Sequence, residues 1–194
     1  MHIKQNLPEK YIPQVTELFL SALGEKFIPI LGNNEKSKKL FALSLNLENC
    51  FYAEEDSMLL GVVAFQTSRE TFFAPTLKSI QSLYGKIKGL YKGILLSLME
   101  HKTEQDELYI EAIAVSTAAR GKGVGTQLLE IIFTFAKEKG LHNVTLQVID
   151  TNPRAKTLYE KNGFTVIKKE NIWPINKIIG WPFNRVYVMI KSIY

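Results

Sequence analysis

Cysteine is almost absent from these 194 residues: Cys50 stands alone. One thiol makes no intramolecular disulfide and cannot build a cysteine-based metal cluster. Histidine is nearly as scarce, and His2, His101 and His142 do not lie at ligand spacing from one another. The sequence therefore predicts no zinc site and no other metal. Long hydrophobic runs are missing as well. The greasy stretch Ile94 to Met99, for example, falls far short of the ~20 apolar residues that cross a bilayer. The opening Met1-His2-Ile3-Lys4-Gln5-Asn6 lacks the apolar core of a signal peptide. The simplest expectation is a soluble, cytoplasmic protein. No repeat, low-complexity run or long linker divides the chain, so one domain over 1–194 is expected.

Hydrophobic residues make up 46% and charged residues 22%, which argues against general disorder and supplies a full core. The formal net charge of +5 suits a polyanionic ligand or partner: a phosphorylated cofactor, a nucleic acid or an anionic membrane surface. Charge alone does not choose among them.

Pro8 opens a helical pattern with Tyr11, Val15, Leu18, Phe19 and Ala22 on one face, expected to stop near Gly24. A second helix is expected over Glu35 to Leu47. Cys50–Glu54 and Leu60–Gln66 read as a hairpin around Glu55-Asp56-Ser57. From Phe72 to Glu107 a helical insertion is expected. Ile87, Leu90, Tyr91, Ile94, Leu95 and Leu98 repeat at helical steps, and the ordinary reading packs them on the sheet with the lysines outside. Lys78, Lys86, Lys88 and Lys92 make the segment basic, which also suits a membrane surface or a nucleic acid. Gly85, Gly89, Gly93 and Ser97 recur every fourth residue. Either another backbone approaches that ridge closely or the helix breaks there.

Leu108 to Val115 is apolar on both faces, as a buried strand is. A glycine turn follows, then a helix from Val124 to Lys139, a strand Val144–Ile149, and a short helix from Asn152-Pro153 to Asn162-Gly163. Strands near Phe164–Lys168 and Val186–Lys191 close the chain. This order predicts an α/β fold: a mixed sheet of about six to seven strands flanked by helices.

A strand running through Arg120-Gly121-Lys122-Gly123-Val124-Gly125 into a helix sets backbone N–H groups at the positive end of the helix dipole. Glycines leave that concavity open, and Arg120 and Lys122 add charge at its mouth. The matching chemistry is a phosphate or pyrophosphate; a flexible turn with surface charge is the plain alternative. Spacing excludes a dinucleotide-binding fingerprint, because Thr126 or Leu128 stands where its third glycine belongs. No Gly-Lys-Ser/Thr triplet is present for a Walker loop.

Here the sequence resembles the GNAT superfamily of N-acetyltransferases. Its Arg/Gln-x-x-Gly-x-Gly/Ala turn is matched by Arg120 through Gly125. Its second block, Asn-x-x-Ala-x-x-Leu-Tyr-x-x-x-Gly-Phe, is matched by Asn152, Ala155, Leu158, Tyr159, Gly163 and Phe164. The two blocks cover about Leu108 to Ile167, in order; the N-terminal half fits the fold only loosely. Thr117 stands where many members carry a proline that stiffens the turn. The resemblance implies acetyl-CoA as co-substrate, held by Arg120, Gly121, Lys122, Gly123, Val124, Gly125 and Thr126. It also implies main-chain contacts to the pantetheine arm and thioester from Ile113, Ala114 and Val115. Asn152 is a further contact candidate, although capping a helix before Pro153 explains it equally. The implied activity is direct transfer of an acetyl group to a primary amine, on a small molecule, peptide or protein. A homodimer is compatible, and no nucleic-acid partner is expected. A non-catalytic acyl-CoA-binding module and a membrane-peripheral acyltransferase are the rival readings.

Attack requires a neutral amine, and one of pKa ~10.4 is neutral only about once in 2,500 at pH 7, so a base helps. Glu111 is the candidate: a carboxylate inside an apolar strand is costly unless paired or used. Alternation places it beside Tyr109, Ile113 and Val115. Pairing with a lysine or arginine, or solvation in the acceptor cleft, stays open. Tyr159 is the candidate acid, which the resemblance sets near the thioester sulfur; filling the apolar face of its helix is the alternative. Acceptor specificity is expected from the insertion and from Ile172 to Phe183, which carries Trp173, Pro174, Trp181 and Pro182. That segment reads as a lid, a dimer contact or a packed loop.

Overall fold

The computed structural model describes residues 1–194. In chain order the elements are β1 (His2–Gln5), α1 (Ile12–Leu31), α2 (Glu35–Ser44), β2 (Cys50–Glu55), β3 (Met58–Gln66), α3 (Leu77–Tyr84) and α4 (Lys86–Ser97). There follow β4 (Glu107–Val115), α5 (Val124–Glu138), β5 (Asn143–Ile149), α6 (Pro153–Lys161), β6 (Thr165–Asn171), α7 (Ile175–Ile179) and β7 (Arg185–Ser192). The seven strands form one mixed sheet in the order β1-β2-β3-β4-β5-β7-β6, in which only β4 and β5 are parallel. No helix is long and apolar enough to cross a membrane.

Two cores cover the two faces of the sheet. On one, Val15, Phe19, Leu40, Phe41 and Phe72 pack against Tyr52, Val62, Ala64 and Ala112. On the other, Leu128, Leu129 and Ile132 of α5 pack on Leu108, Ile110, Val144 and Leu146. These three α5 side chains are fully buried, and each such burial stabilises by about 1.5–3 kcal/mol. That gain fixes α5, and with it the turn that precedes it.

Three departures from the sequence reading matter for the site. Helix α1 does not stop at Gly24 but runs to Leu31, through Pro29. A glycine inside a helix costs about 1 kcal/mol relative to alanine. Burial of Ile30 and Leu31 in the core outweighs that cost. The insertion is two helices, with the break at Gly85. The glycine ridge packs on α3, not on the sheet: a Cβ at Gly89 would meet Gln81 Cα at 2.7 Å. Consequently most of the apolar stripe expected inside is outside, and of its members only Leu95 is buried. Ile87, Leu90, Tyr91, Ile94 and Leu98 are exposed, Ile87 by 86%.

The third departure is in β4. Ala112 pairs with Ala64 and Ile110 with Phe65, which leaves Glu111 as an extra residue, a β-bulge. The bulge resets the alternation. Leu108 and Ile110 face α5 before it, and Ile113 and Val115 do so after it. Glu111 therefore shares its face with Tyr109, as expected, but not with Ile113 or Val115.

Candidate active site

The glycine turn is built by a short 3-10 turn, Thr117–Ala119, that leads from β4 into Arg120. Arg120 Nε donates to the Val115 carbonyl at 3.3 Å, tying the turn to the end of the strand. Gly121 and Gly123 both have φ +80, a left-handed conformation that other residues adopt at a cost of roughly 1–2 kcal/mol. A Cβ at either position would meet nothing within 4 Å, so it would project into open space in front of the turn. Gly123 caps α5, and no side chain caps the helix in its place. The N–H groups of Gly121, Gly123, Val124, Gly125 and Thr126 have no acceptor anywhere in the protein. Arg120 and Lys122 are exposed beside them. Gly125 has a second duty, since its Cβ would sit 3.2 Å from Leu158 Cδ2; α6 packs closely there. Donors, dipole and two cations fit a pyrophosphate.

Beyond the turn, β4 and β5 separate. Their pairing runs only from Glu107↔Asn143 to Ile110↔Leu146. From Ala112 to Val115, β4 pairs with β3 on one side and with nothing on the other, and the bulged Glu111 pairs with neither neighbour. Ile113, Ala114 and Val115 thus lie on an unpaired edge inside the sheet. Tyr159, on α6, is buried in the α5 core with its ring 5.8 Å from Phe164. Its hydroxyl makes no hydrogen bond within the protein, and burial pushes the phenol up to about 12. The neighbouring residue Asn152 caps α6: its Oδ1 accepts from the Ala155 N–H at 3.1 Å. That bond accounts for Asn152 as a helix cap.

On the opposite face lies a cavity of about 750 Å³. Tyr109, Glu111 and Ala112 line it from β4, Gln147 from β5, Phe19, Lys26 and Phe27 from α1, and Trp181 and Phe183 from the chain before β7. The Trp-rich segment is thus neither free loop nor detached lid. Trp181 Nε1 donates to the Lys26 carbonyl at 2.9 Å and the ring stacks on Phe183 at 5.2 Å, so this end of the segment forms a wall, whereas Trp173 is exposed.

Glu111 is half-buried and hydrogen-bonded rather than ion-paired. Its Oε1 accepts from Thr71 Oγ1 and from the Phe72 N–H, both at 2.6 Å, and its Oε2 accepts from the Phe73 N–H at 3.3 Å. Burial pushes its pKa up, the three donors pull it down, and the net displacement is upward. The donors lie in the loop between β3 and α3, so the carboxylate also pins that loop over the sheet.

Two residues at the cavity escape a reading of the sequence. His101 stacks on Tyr109 with ring centroids 4.0 Å apart, and its Nε2 lies 3.1 Å from Glu107 Oε1. Glu107 also accepts from Thr145 Oγ1 and from the Glu104 N–H. Burial pushes Glu107 up, but these hydrogen bonds outweigh it and hold the carboxyl below its ordinary value. His101 sits in an irregular stretch with no periodicity to place it. Lys26 lies on the part of α1 beyond Gly24, where no helix is expected.

An acetyltransferase (GNAT) family model matches residues 18–164. An uncharacterized N-acetyltransferase of Bacillus subtilis is 39% identical over 59 residues, 30% of this chain and 24% of that protein. A thialysine N-epsilon-acetyltransferase of Bos taurus is 32% identical over 66 residues, 34% of this chain and 39% of that protein. The alignments thus span about a quarter to two fifths of these relatives' length. Among solved structures, an N-acetyltransferase of Staphylococcus aureus superposes with a TM-score of 0.72 at 16% identity, covering 98% of this chain and 100% of that one. The ribosomal-protein-S18-alanine N-acetyltransferase of Escherichia coli gives 0.61 at 17% identity, covering 99% and 93%. The superpositions match the seven-stranded mixed sheet, and the family model spans the glycine turn, the parted strands and Tyr159 together: this chain belongs to the acetyltransferase (GNAT) family.

Proposed function

We propose that this chain transfers an acetyl group from acetyl-CoA to a primary amine by direct attack, as one catalytic domain over residues 1–194. One observation carries the reading: five main-chain N–H groups without acceptors, set in one turn beside the unpaired edge of β4. Residues Arg120 to Thr126 hold the pyrophosphate, and the main chain of Ile113, Ala114 and Val115 holds the pantetheine arm. Acetyl-CoA supplies an activated acyl group on a thiol leaving group. Tyr159 offers its hydroxyl to the sulfur, and Glu111 takes the proton of the attacking amine. The acceptor occupies the cavity in front of Glu111.

Calorimetry with acetyl-CoA and with free CoA tests the cradle. Both are expected to bind with Kd in the micromolar range, about −8 kcal/mol. Thiol release with a panel of amines then tests transfer. Well-folded protein that binds neither form overturns the reading. Binding without release for any amine leaves an acyl-CoA-binding module.

The base role has its own signature. A base acts only when ionised, so kcat/KM for the amine is expected to fall as pH drops through the raised pKa of Glu111. Glu111→Gln removes that acidic limb and lowers kcat/KM by roughly 100-fold. A pH–rate profile unchanged by the substitution assigns the proton to ordered water instead.

A further inference from the structure

We propose that Lys26 reads a carboxylate on the acceptor, so that the molecule taken up is a free amino acid or close analogue with an apolar body. The inference rests on the acetyl-transfer reading for the amine; the carboxylate subsite stands on its own geometry.

Lys26 is half-buried on the last turns of α1 and lines the cavity. Its ammonium makes no ion pair within 4.0 Å and no hydrogen bond. The other half-buried lysines, Lys38, Lys92, Lys156 and Lys191, all have partners: Lys92, for example, donates to the Ile30 carbonyl and lies over the Tyr84 ring. A partly desolvated cation without a partner is unfavourable unless a ligand supplies the counter-charge. The other titratable groups around the cavity are Glu100, His101, Tyr109, Glu111 and Glu170. Glu170 is paired with Lys168 at 2.7 Å, His101 contacts Glu107, and Glu111 is held by three donors. Glu100 is exposed, and neither it nor any other of these carboxylates comes within 4.0 Å of the Lys26 ammonium. Burial lowers its pKa to about 8, so most of it is charged at pH 7.

The remaining walls say what the rest of the ligand is. Phe19, Phe27, Phe41, Phe72, Trp181 and Phe183 give the cavity an aromatic lining. About 750 Å³ suits a small molecule, not a folded partner. One ammonium, with carboxylates nearby, balances a single negative charge and disfavours a dianionic phosphate. Glu111 on the same cavity receives the amine. An amine, one carboxylate and an apolar side chain together describe an apolar amino acid.

Binding of two probes tests the subsite without any acetyl transfer: 3-phenylpropionate and its neutral counterpart 3-phenylpropanol, titrated by calorimetry at pH 7. The carboxylate is expected to bind roughly 10-fold tighter, the scale of one charge-assisted contact. The preference fades above pH 8 as Lys26 loses its proton. Lys26→Met abolishes it and Lys26→Arg retains it in part. The methionine variant melts above the parent at pH 7, because the uncompensated charge is gone, so misfolding does not mimic the result. Equal binding of both probes, binding of neither, or an unchanged preference in Lys26→Met overturns the proposal. In a separate assay, L-phenylalanine is acetylated in preference to L-phenylalaninamide by the parent but not by Lys26→Met. Failure of transfer to every amine counts against the acetyltransferase reading and leaves the carboxylate subsite to stand or fall on the two probes.

Discussion

Replacing Gly123 with valine is expected to abolish the proposed binding of acetyl-CoA while the protein still folds. Two observations set the expectation. The position has φ +80, so a valine there strains the backbone by roughly 1–2 kcal/mol, within the stability of an ordinary domain. Its Cβ meets nothing of the protein within 4 Å, so no packing is lost. The added branches instead stand in front of the free N–H groups of Gly123, Val124 and Gly125 and keep phosphate oxygens from reaching them. A loss of at least 100-fold in Kd, about 2.7 kcal/mol, is expected by calorimetry, with a thermal melt that remains cooperative. Unchanged affinity in the folded variant means that the diphosphate is held elsewhere.

Tyr159→Phe lowers kcat by roughly 100-fold and leaves the Kd for acetyl-CoA unaltered. Removal of one preorganised donor aimed at developing charge typically has an effect of this size. The pKa of the phenol also decides what kind of help it gives. Near 12, it lies ~3.5 units above a thiol of about 8.5, so complete proton transfer to the departing sulfur is uphill by about 5 kcal/mol. In the proposed mechanism Tyr159 therefore stabilises the thiolate by donating a hydrogen bond and keeps its proton. Because the hydroxyl has no partner within the protein, its removal leaves stability within about 0.5 kcal/mol of the parent. Single-turnover kinetics beside a CoA titration separates the two parameters. Full activity in the variant removes Tyr159 from the chemistry.

The central third of the chain is legible in its sequence because strong local signals agree there. Leu108 to Val115 is apolar apart from Glu111, the glycines follow at fixed spacing, and α5 has a clean apolar face bounded by Gly123 and Gly140. Elsewhere packing overrides local preference. Gly24 looks like a stop, yet the core beyond it extends α1 by nearly two turns and carries Lys26 into the cavity. Ile87 to Leu98 has the periodicity of a buried face, but the glycine ridge lets α3 approach the other side and α4 turns most of its apolar stripe outward. β1 is too short and too polar to show as a strand; its pairing with β2 makes it one. Within the site, Tyr159 and the glycine turn are visible as a motif. The fixing of Glu111 by Thr71, Phe72 and Phe73 is not, because a one-residue bulge and a loop 40 positions away decide it.

The four residue pairs joining β4 to β5 have a mechanical consequence. Below Ile110 the seven strands behave as one plate; above it they are two leaves, β1 to β4 and β5 to β7, attached along a short seam. Whatever rests between the leaves touches both and acts as a splint. If the gap admits the proposed thioester, the same missing ladder makes that ligand a structural member of the sheet it enters.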